Sequence, residues 1–215
     1  MFTLKGLKYK NILEIEGEFS FSPYRVICIV GESGSGKTTF LKLLNNLITP
    51  DRGKVFYKGK DVNTFDPVQL RREVIMLPQV PIIFPGTVKE NLLKGLYFSE
   101  KPVVEDELIL DILKELNVNV ELNRDSAELS GGEKQRLALG RILLMEPEVF
   151  LLDEPTSALD DNTEDLALRK VVDFALQRGS TLIMVTHSRD LAYKYGQAVI
   201  TLNGGRISKM EEANK

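Results

Sequence analysis

A glycine-rich octapeptide in the first part of the chain has the composition of a phosphate cradle. It fits the pattern G-x-x-x-x-G-K-[ST] and consists of Gly31, Glu32, Ser33, Gly34, Ser35, Gly36, Lys37 and Thr38. Glycines let successive backbone N–H groups point at phosphate oxygens, and the start of a following helix adds partial positive charge. Lys37 would reach the β- and γ-phosphates, and the Thr38 hydroxyl could ligate Mg²⁺. Because an apolar stretch precedes the motif and a helical pattern follows it, we predict a nucleoside triphosphate site and not a Gly/Ser turn that binds nothing.

Two acidic residues follow an apolar stretch in the second half of the chain. Residues 149–152 read Val-Phe-Leu-Leu, and Asp153 and Glu154 come next. At the carboxyl edge of a parallel sheet these side chains would lie beside the phosphate cradle. Asp153 could then hold Mg²⁺ directly or through water, and Glu154 could be the general base that polarises the attacking water. The alternative is a solvated strand end with no chemical role.

A serine and two glycines stand where a second helix is expected to begin. The segment reads Leu129-Ser130-Gly131-Gly132-Glu133-Lys134-Gln135-Arg136. Its N–H groups could receive an anion, although a serine in this position alone could be only a helix cap. Beside the other two motifs, the segment resembles the signature of ATP-binding cassette (ABC) ATPases, LSGGQ-like with Glu in the last place. In that family the corner formed by Ser130, Gly131 and Gly132 contacts the γ-phosphate bound to the other subunit.

The resemblance extends over essentially the whole chain and implies roles for further residues. Gln79 matches the Q-loop glutamine, which contacts Mg²⁺ and the attacking water. His187 matches the switch histidine that contacts the γ-phosphate, and residues 157–160 match the D-loop at the dimer interface. Thr39, the next residue of the phosphate loop, is assigned to nucleotide binding as well. The resemblance therefore predicts Glu154, His187, Gln79 and Lys37 as catalytic, and Thr38, Gln79 and Asp153 as metal ligands.

The platform for the adenine base is the least specific part of the resemblance. Members of the family usually stack an aromatic ring from an early strand on the base. Tyr9 lies at about the expected separation before Gly31, so we assign this role to Tyr9. Tyr24 is the alternative, and either ring could serve packing alone.

The rest of the sequence predicts an α/β fold: a P-loop NTPase core with a mixed sheet, an N-terminal antiparallel β subdomain and an inserted helical subdomain. Apolar runs and alternation indicate strands, and apolar residues at helical spacing indicate helices. Strands are predicted within 2–30, where 26–30 would be buried on both faces. Further strands are predicted at 54–58, 74–77, 149–152, 181–185, 199–202 and 206–208. Helices are predicted at 37–48, 105–116, 132–145, 164–177 and 190–195. We expect one domain over 1–215, with the core at about 1–80 and 147–215 and the helical subdomain at about 81–146.

Composition limits the function classes. A net charge of −3 gives no basic surface for nucleic acid, so any phosphate must be held by a local site. The single cysteine, Cys28, lies in an apolar run, which favours a core role and a reducing compartment. No apolar run approaches the roughly 20 residues that span a bilayer, and the N-terminus lacks the apolar segment of a signal peptide. A membrane role would therefore require another, membrane-spanning chain.

The resemblance implies a Mg²⁺-dependent ATPase that works as a dimer, with ATP enclosed between two copies. Its expected partner is a separate integral membrane permease, and its expected place is the cytoplasmic face of the cell membrane. Residues 79–92, with the helical insertion, are the expected docking region, unless they form only a solvated loop.

Several rival assignments are weighed against this one. The compact length and single cassette argue against the chromosome-organising, translation-associated and fused-exporter branches. Residues 84–92 look most like small bacterial cassettes related to iron-export ATP-binding proteins, with amino-acid and phosphate importer cassettes as close alternatives. A soluble ABC ATPase without a membrane partner is the alternative function. A small-molecule kinase is disfavoured because it would have no use for the signature.

Overall fold

The structure is a computed structural model that describes residues 1–21 and 26–213, and within them the chain forms two sheets with helices packed on them. The strands are β1 (Phe2–Tyr9), β2 (Leu13–Ser20), β3 (Val26–Val30), β4 (Arg52–Tyr57), β5 (Lys60–Asp61), β6 (Val74–Leu77), β7 (Val149–Asp153), β8 (Thr181–Val185), β9 (Ala198–Asn203) and β10 (Arg206–Glu212). The helices are α1 (Lys37–Leu44), α2 (Pro67–Glu73), α3 (Val88–Phe98), α4 (Asp106–Glu115), α5 (Gly131–Leu144), α6 (Asp161–Gln177) and α7 (Arg189–Tyr195). The predicted α/β class is confirmed.

The larger sheet positions the candidate site. Its strand order is β10-β9-β3-β8-β7-β6, and every neighbouring pair except β10–β9 is parallel. Strands β3, β7 and β8 are buried at every residue, as their continuous apolar sequences predict for strands covered on both faces. Cys28 in β3 is fully buried, so its predicted core role is confirmed. Because parallel strands share a carboxyl edge, the loops after β3, β6, β7 and β8 lie along one edge of this sheet.

The smaller sheet is antiparallel, with strand order β2-β1-β4-β5, and confirms the predicted N-terminal β region. Its apolar residues join α1 and one side of the larger sheet in a single buried cluster. A polar contact also links the two sheets. Glu148, just before β7, accepts hydrogen bonds from the Tyr57 hydroxyl at 3.0 Å and from Lys58 Nζ at 2.7 Å. Burial, with Glu148 adding to it, raises the pKa of the Tyr57 hydroxyl, so this hydroxyl stays a donor.

Helices α3, α4 and α5 occupy the chain between β6 and β7, where the helical insertion was predicted. Helices α3 and α5 cross closely at two glycines. A Cβ at Gly95 would come 2.7 Å from Met145 Sδ, and one at Gly140 would come 3.1 Å from Leu92 Cδ2. The three helices share a buried cluster with the other side of the larger sheet. The exact boundaries of a helical subdomain stay a prediction.

A buried arginine fixes the segment between β6 and α3. Arg141 of α5 donates from Nε to the Asn91 carbonyl oxygen at 2.8 Å and from a terminal nitrogen to the Ile82 carbonyl oxygen at 2.8 Å. Its guanidinium also lies 4.8 Å from the centre of the Phe84 ring. Burial lowers the Arg141 pKa to about 10. The signature helix α5 therefore holds the loop that follows Gln79.

Helices α1, α2 and α3 differ from the sequence prediction, which gave no helix at 88–98 within the expected insertion. Helix α1 ends at Leu44 and not at residue 48, because Asn46 adopts a left-handed conformation (φ 54°) and the Leu47 N–H turns back to the Lys42 carbonyl at 2.9 Å. Helix α2 was not among the predicted elements. Its start carries a recognisable signal, since the Asp66 side chain accepts hydrogen bonds from two N–H groups and Pro67 is the first helical residue.

Candidate nucleotide-binding and catalytic site

The phosphate motif forms the turn between β3 and α1. Gly31 packs against β9 so closely that a Cβ would lie 2.2 Å from the Leu202 carbonyl oxygen. Gly36 precedes α1 in a left-handed conformation (φ 95°), which glycine adopts without steric cost. No side chain caps α1, and its first turn contains no acid. The first N–H groups of the helix are therefore left for a ligand.

Lys37 lies inside this loop. Its ammonium donates to the carbonyl oxygens of Gly31 and Glu32, both at 2.8 Å, and the residue is only 6% exposed. A compact cation held by carbonyl groups can exchange them for phosphate oxygens, which are stronger acceptors because they are charged. The position suits the predicted contact with the β- and γ-phosphates.

Thr38 and Asp153 meet beneath the loop. The Thr38 hydroxyl donates to Asp153 Oδ2 at 2.8 Å, and Asp153 is 3% exposed. The second carboxylate oxygen, Oδ1, is buried and has no hydrogen-bond partner among the described residues. A hydroxyl next to a carboxylate oxygen that lacks a partner is a set of hard oxygen ligands that fits Mg²⁺.

Two predicted residues converge on the carboxylate of a third, Glu154, at the carboxyl edge of the sheet. Gln79, after β6, donates from Nε2 to Glu154 Oε2 at 2.6 Å. His187, after β8, places Nε2 at 2.5 Å from Glu154 Oε1. Glu154 itself has a left-handed backbone (φ 48°), and its N–H donates to the Val185 carbonyl at 3.0 Å. Non-glycine residues rarely adopt this conformation, and such strain often marks functional sites.

These groups line one cleft of about 330 Å³. Its lining residues are Ile12, Ser33, Gly34, Gly36, Lys37, Thr38, Thr39, Gln79, Glu154 and His187. The sequence analysis missed Ile12, which is 40% exposed in the turn between β1 and β2. A single aliphatic residue in a turn carries no chemical signal, and only its place opposite Gly36 reveals it. A neighbouring pocket brings Gly31 and Glu32 together with His187.

The adenine platform stays a prediction. Tyr9 ends β1 and packs partly buried against the core, with the Lys10 ammonium 5.2 Å from the centre of its ring. It is not among the residues that line the cleft. The alternative residue, Tyr24, lies outside the described residues.

The signature corner lies at the start of α5. Ser130 caps the helix through a reciprocal pair of hydrogen bonds with Glu133. None of Ser130, Gly131 and Gly132 is among the residues that line the cleft of the same chain. Sequence reasoning identified the corner, and the structure shows that it is not part of its own chain's cleft.

The signature helix nevertheless contacts the loop that carries Glu154. Gln135, which is fully buried, donates from Nε2 to the Pro155 carbonyl oxygen at 2.8 Å. The ideal Cβ position of Gly132 lies 3.2 Å from a methyl carbon of Leu159, within the predicted D-loop. The corner, the D-loop and the segment after Glu154 therefore form one packed unit.

Comparison with known proteins identifies the family. The sequence model described as "ABC transporter" matches residues 16–157. The chain belongs to the ABC transporter family. Two curated relatives support this placement. It is 41% identical over 187 residues to ABC transporter I family member 17 of Arabidopsis thaliana (85% of this chain, 69% of that protein). It is 35% identical over 214 residues to the carnitine transport ATP-binding protein OpuCA of Listeria monocytogenes (96% of this chain, 52% of that protein).

A solved ABC cassette agrees with the whole described fold. The dimeric post-hydrolysis state of the ATP-binding cassette MJ0796 bound to ADP and Pi superimposes with a TM-score of 0.84 at 25% identity, covering 100% of both chains. The present chain is thus an ABC ATPase cassette, as its sequence predicted. It spans about half the length of the Listeria relative (52%). Within residues 1–21 and 26–213, no helix has the length and apolar character needed to span a bilayer.

Proposed function

We propose that this cassette powers a transporter whose membrane-spanning part is a separate chain, and that two copies enclose two ATP molecules head to tail. The observation that carries the proposal is that the signature corner does not line the cleft of its own chain. The cleft holds groups for phosphate and water, but Ser130–Gly132 do not line it. A second copy in head-to-tail orientation would supply that corner.

In this proposal the phosphate loop binds the substrate. The N–H groups at the start of α1 and the Lys37 ammonium hold the β- and γ-phosphates. Thr38, Asp153 and Gln79 would hold Mg²⁺. The bound ion would neutralise part of the phosphate charge and favour the attack of water on phosphorus. The base would rest against the β1–β2 turn, near Ile12 and Tyr9.

Glu154 is the proposed general base. A water oxygen attacks the γ-phosphorus, the bond to the β–γ bridging oxygen breaks, and the water proton passes to the Glu154 carboxylate. Gln79 and His187 contact its two oxygens and so orient it. ADP and phosphate then leave, and Glu154 returns its proton to solvent.

ATP would act as part of the dimer interface. Each ATP contacts one copy through Lys37 and the other through the corner at Ser130, so the closed dimer is favoured only while the γ-phosphate joins both. Hydrolysis breaks that link and places two negative products between the copies. The equilibrium between closed and open dimers then shifts toward the open state.

A patch of exposed apolar residues is the proposed docking surface for the membrane chain. Ile82, Tyr97 and Phe98 are 59%, 77% and 52% exposed, and the Phe84 and Phe98 rings lie 5.7 Å apart. Exposed aromatic groups of this kind mark interaction sites. The patch adjoins the loop after Gln79, which Arg141 holds. Docking there would place the cassette on the cytoplasmic face of the membrane. The subgroup we propose is that of the iron-export-like cassettes, with amino-acid and phosphate importer cassettes as alternatives.

Trapping of the closed dimer tests the sandwich. Glu154→Gln removes the base and keeps the shape of the side chain, so ATP should bind without being consumed. With ATP and Mg²⁺ we expect a stable dimer by size-exclusion chromatography with light scattering, and a monomer with ADP. A Glu154→Gln protein that stays monomeric at saturating ATP would contradict the head-to-tail arrangement.

Copurification tests the membrane partner. The tagged cassette should recover a chain with several apolar spans from gently solubilised native membranes, identified by mass spectrometry. Replacement of Tyr97 and Phe98 by serine should abolish the recovery and leave ATP binding unchanged. If the intact cassette repeatedly recovers no such chain, the alternative of an ABC ATPase without a membrane partner is favoured.

A further inference from the structure

The Ser130 hydroxyl, which the proposed function directs at a γ-phosphate, is already hydrogen-bonded within its own chain. Ser130 donates from its backbone N and from Oγ to Glu133 Oε2, both at 2.8 Å. In return, the Glu133 N–H donates to Ser130 Oγ at 3.3 Å. One carboxylate oxygen therefore accepts both hydrogen bonds that Ser130 can donate.

The carboxylate that holds Ser130 is ionised and has no ion-pair partner among the described residues. Hydrogen bonds from the Ser130 backbone and side chain lower the Glu133 pKa, with smaller contributions from Arg124 and Arg136. Arg124 itself pairs with Glu128 at 3.6 Å. The Arg136 Nε is buried without a hydrogen-bond partner in the described part of the chain. A negative charge, offset only in part by Arg124 and Arg136, thus remains beside the hydroxyl that must meet a negatively charged phosphate.

We propose that Glu133 is a positioning residue that restrains closure of the ATP site formed between two copies. This inference rests on the proposed head-to-tail dimer. To donate to the γ-phosphate, the Ser130 hydroxyl must leave Glu133, and the triphosphate must approach a carboxylate of like charge. Both requirements oppose closure, so Glu133 weakens the ATP-bound dimer and eases its opening after hydrolysis.

A glutamine at this position separates charge from shape. Its amide oxygen can still accept from the Ser130 N–H and maintain the helix cap, while the negative charge disappears. A purely structural capping role predicts at most a change in thermal stability. The electrostatic role predicts tighter dimerisation that depends on salt.

The chain contains a matched control in a second reciprocal cap. At the start of α3, the Thr87 N–H donates to Glu90 Oε2 at 2.7 Å and the Glu90 N–H donates to Thr87 Oγ1 at 3.2 Å. Hydrogen bonds from Thr87 also lower the Glu90 pKa. Glu90→Gln therefore removes an equivalent capping charge from a helix start outside the signature.

The experiment measures the dimer dissociation constant by sedimentation velocity, with ATP and Mg²⁺, in the Glu154→Gln background. At about 50 mM salt we expect Glu133→Gln to lower this constant roughly three- to tenfold, and the gain to shrink at about 500 mM salt because the repulsion is screened. Glu90→Gln should leave the constant within about twofold. Melting temperatures report the capping effect of each variant separately.

Each other outcome has a definite meaning. An unchanged or weaker dimer for Glu133→Gln, or a gain that does not depend on salt, would overturn the restraining role while leaving the head-to-tail dimer in place. An equal gain for Glu90→Gln would show that net charge alone is responsible and would also overturn it. If the Glu154→Gln parent forms no ATP-dependent dimer, the sandwich itself is wrong and the restraint has no basis.

Discussion

Two helix starts rich in glycine and serine, at α1 and α5, differ in whether a side chain caps the N–H groups of the first turn. Helix α1 begins after Gly36 without a side-chain cap or an acid in its first turn. Helix α5 begins after Ser130 with a complete capping box and Glu133 in its first turn. The first start leaves its N–H groups for an anion, whereas in the second the Ser130 hydroxyl already accepts from the Glu133 N–H. Similar sequence patterns therefore do not imply equal readiness for phosphate.

The difference has an energetic side. A good N-cap contributes about 1 kcal/mol to helix stability, and the α1 start forgoes this contribution. Lys37 donates to carbonyl groups of the loop and does not satisfy the first N–H groups of α1. The phosphate loop should therefore gain stability from ATP, because a ligand that binds only the folded state stabilises it. The signature corner should gain less from ATP on the same chain.

The largest expected effect concerns the charge of Lys37 at the uncapped start of α1. Lys37→Ala removes the ammonium that is to contact the β- and γ-phosphates, and a hydrogen bond to a charged group is worth about 1.5–3 kcal/mol. We expect ATP affinity, measured by calorimetry, to fall by about one to two orders of magnitude. Lys42→Ala, on the same helix, is the control and should stay within about twofold. Equal affinities for both variants would refute the role of Lys37.

The next effect compares the two glycines that precede or open the helices. Gly36→Ala places a Cβ on a residue with φ 95° and at 3.0 Å from the Ile12 carbonyl oxygen. We expect the free energy of unfolding in urea to fall by about 1–3 kcal/mol. A Cβ at Gly131 would meet no atom within 4 Å, so Gly131→Ala should change it by no more than about 0.5 kcal/mol. Similar losses at both positions would remove the contrast between the two starts.

A smaller effect tests the closed start directly. Ser130→Ala removes the oxygen that caps α5 and should lower the free energy of unfolding by about 1 kcal/mol. Ser33→Ala, in the exposed part of the phosphate loop, serves as the control because no hydrogen bond of its side chain is present in the described structure. The two variants are compared by urea unfolding without nucleotide. If Ser33→Ala lowered the free energy of unfolding as much as Ser130→Ala, capping would not distinguish the two helix starts.

The smallest effect is a pH dependence. Hydrogen bonds from Ser130 lower the Glu133 pKa below its ordinary value of 4.5. A lowered pKa in the folded state means that the ionised group stabilises the fold fully above pH 4.5, and that this stabilisation is lost as the pH falls through the folded-state pKa. The stability difference between the parent protein and Glu133→Gln should therefore be constant from pH 7 to about pH 5.5 and shrink toward pH 3. A difference that grows on acidification would contradict the ionised cap.

Much of the architecture follows from local sequence. Residues 26–30 and 74–77 are apolar runs that end before Gly31 and Pro78, and both form the predicted strands without a change of bounds. The end of α1 was mispredicted because Leu47 continues the apolar spacing although Asn46 reverses the backbone. Helix α2 is only seven residues long, and so its apolar periodicity is too short to recognise. Short elements depend on caps more than on periodicity.

The candidate site was predictable in its members but not in its contacts. Parallel strands indicate that Gln79, Glu154 and His187 share an edge, and they do. The sequence could not show that both partners contact the same carboxylate, because that depends on the left-handed backbone of Glu154. Ile12 reaches the cleft through the β1–β2 turn, and a long-range approach of this kind leaves no pattern in the sequence.

The hydrogen bond from Gln135 to the Pro155 carbonyl has a consequence for the pair as a whole. It connects the signature corner, which a chain would contribute to its partner's site, with the loop beside that chain's own Glu154. In a head-to-tail pair, ATP binding at one site would therefore act on the catalytic loop of the other site through the Gln135 side chain. The two halves would then hydrolyse ATP cooperatively, and the turnover of each would depend on whether its neighbour is loaded.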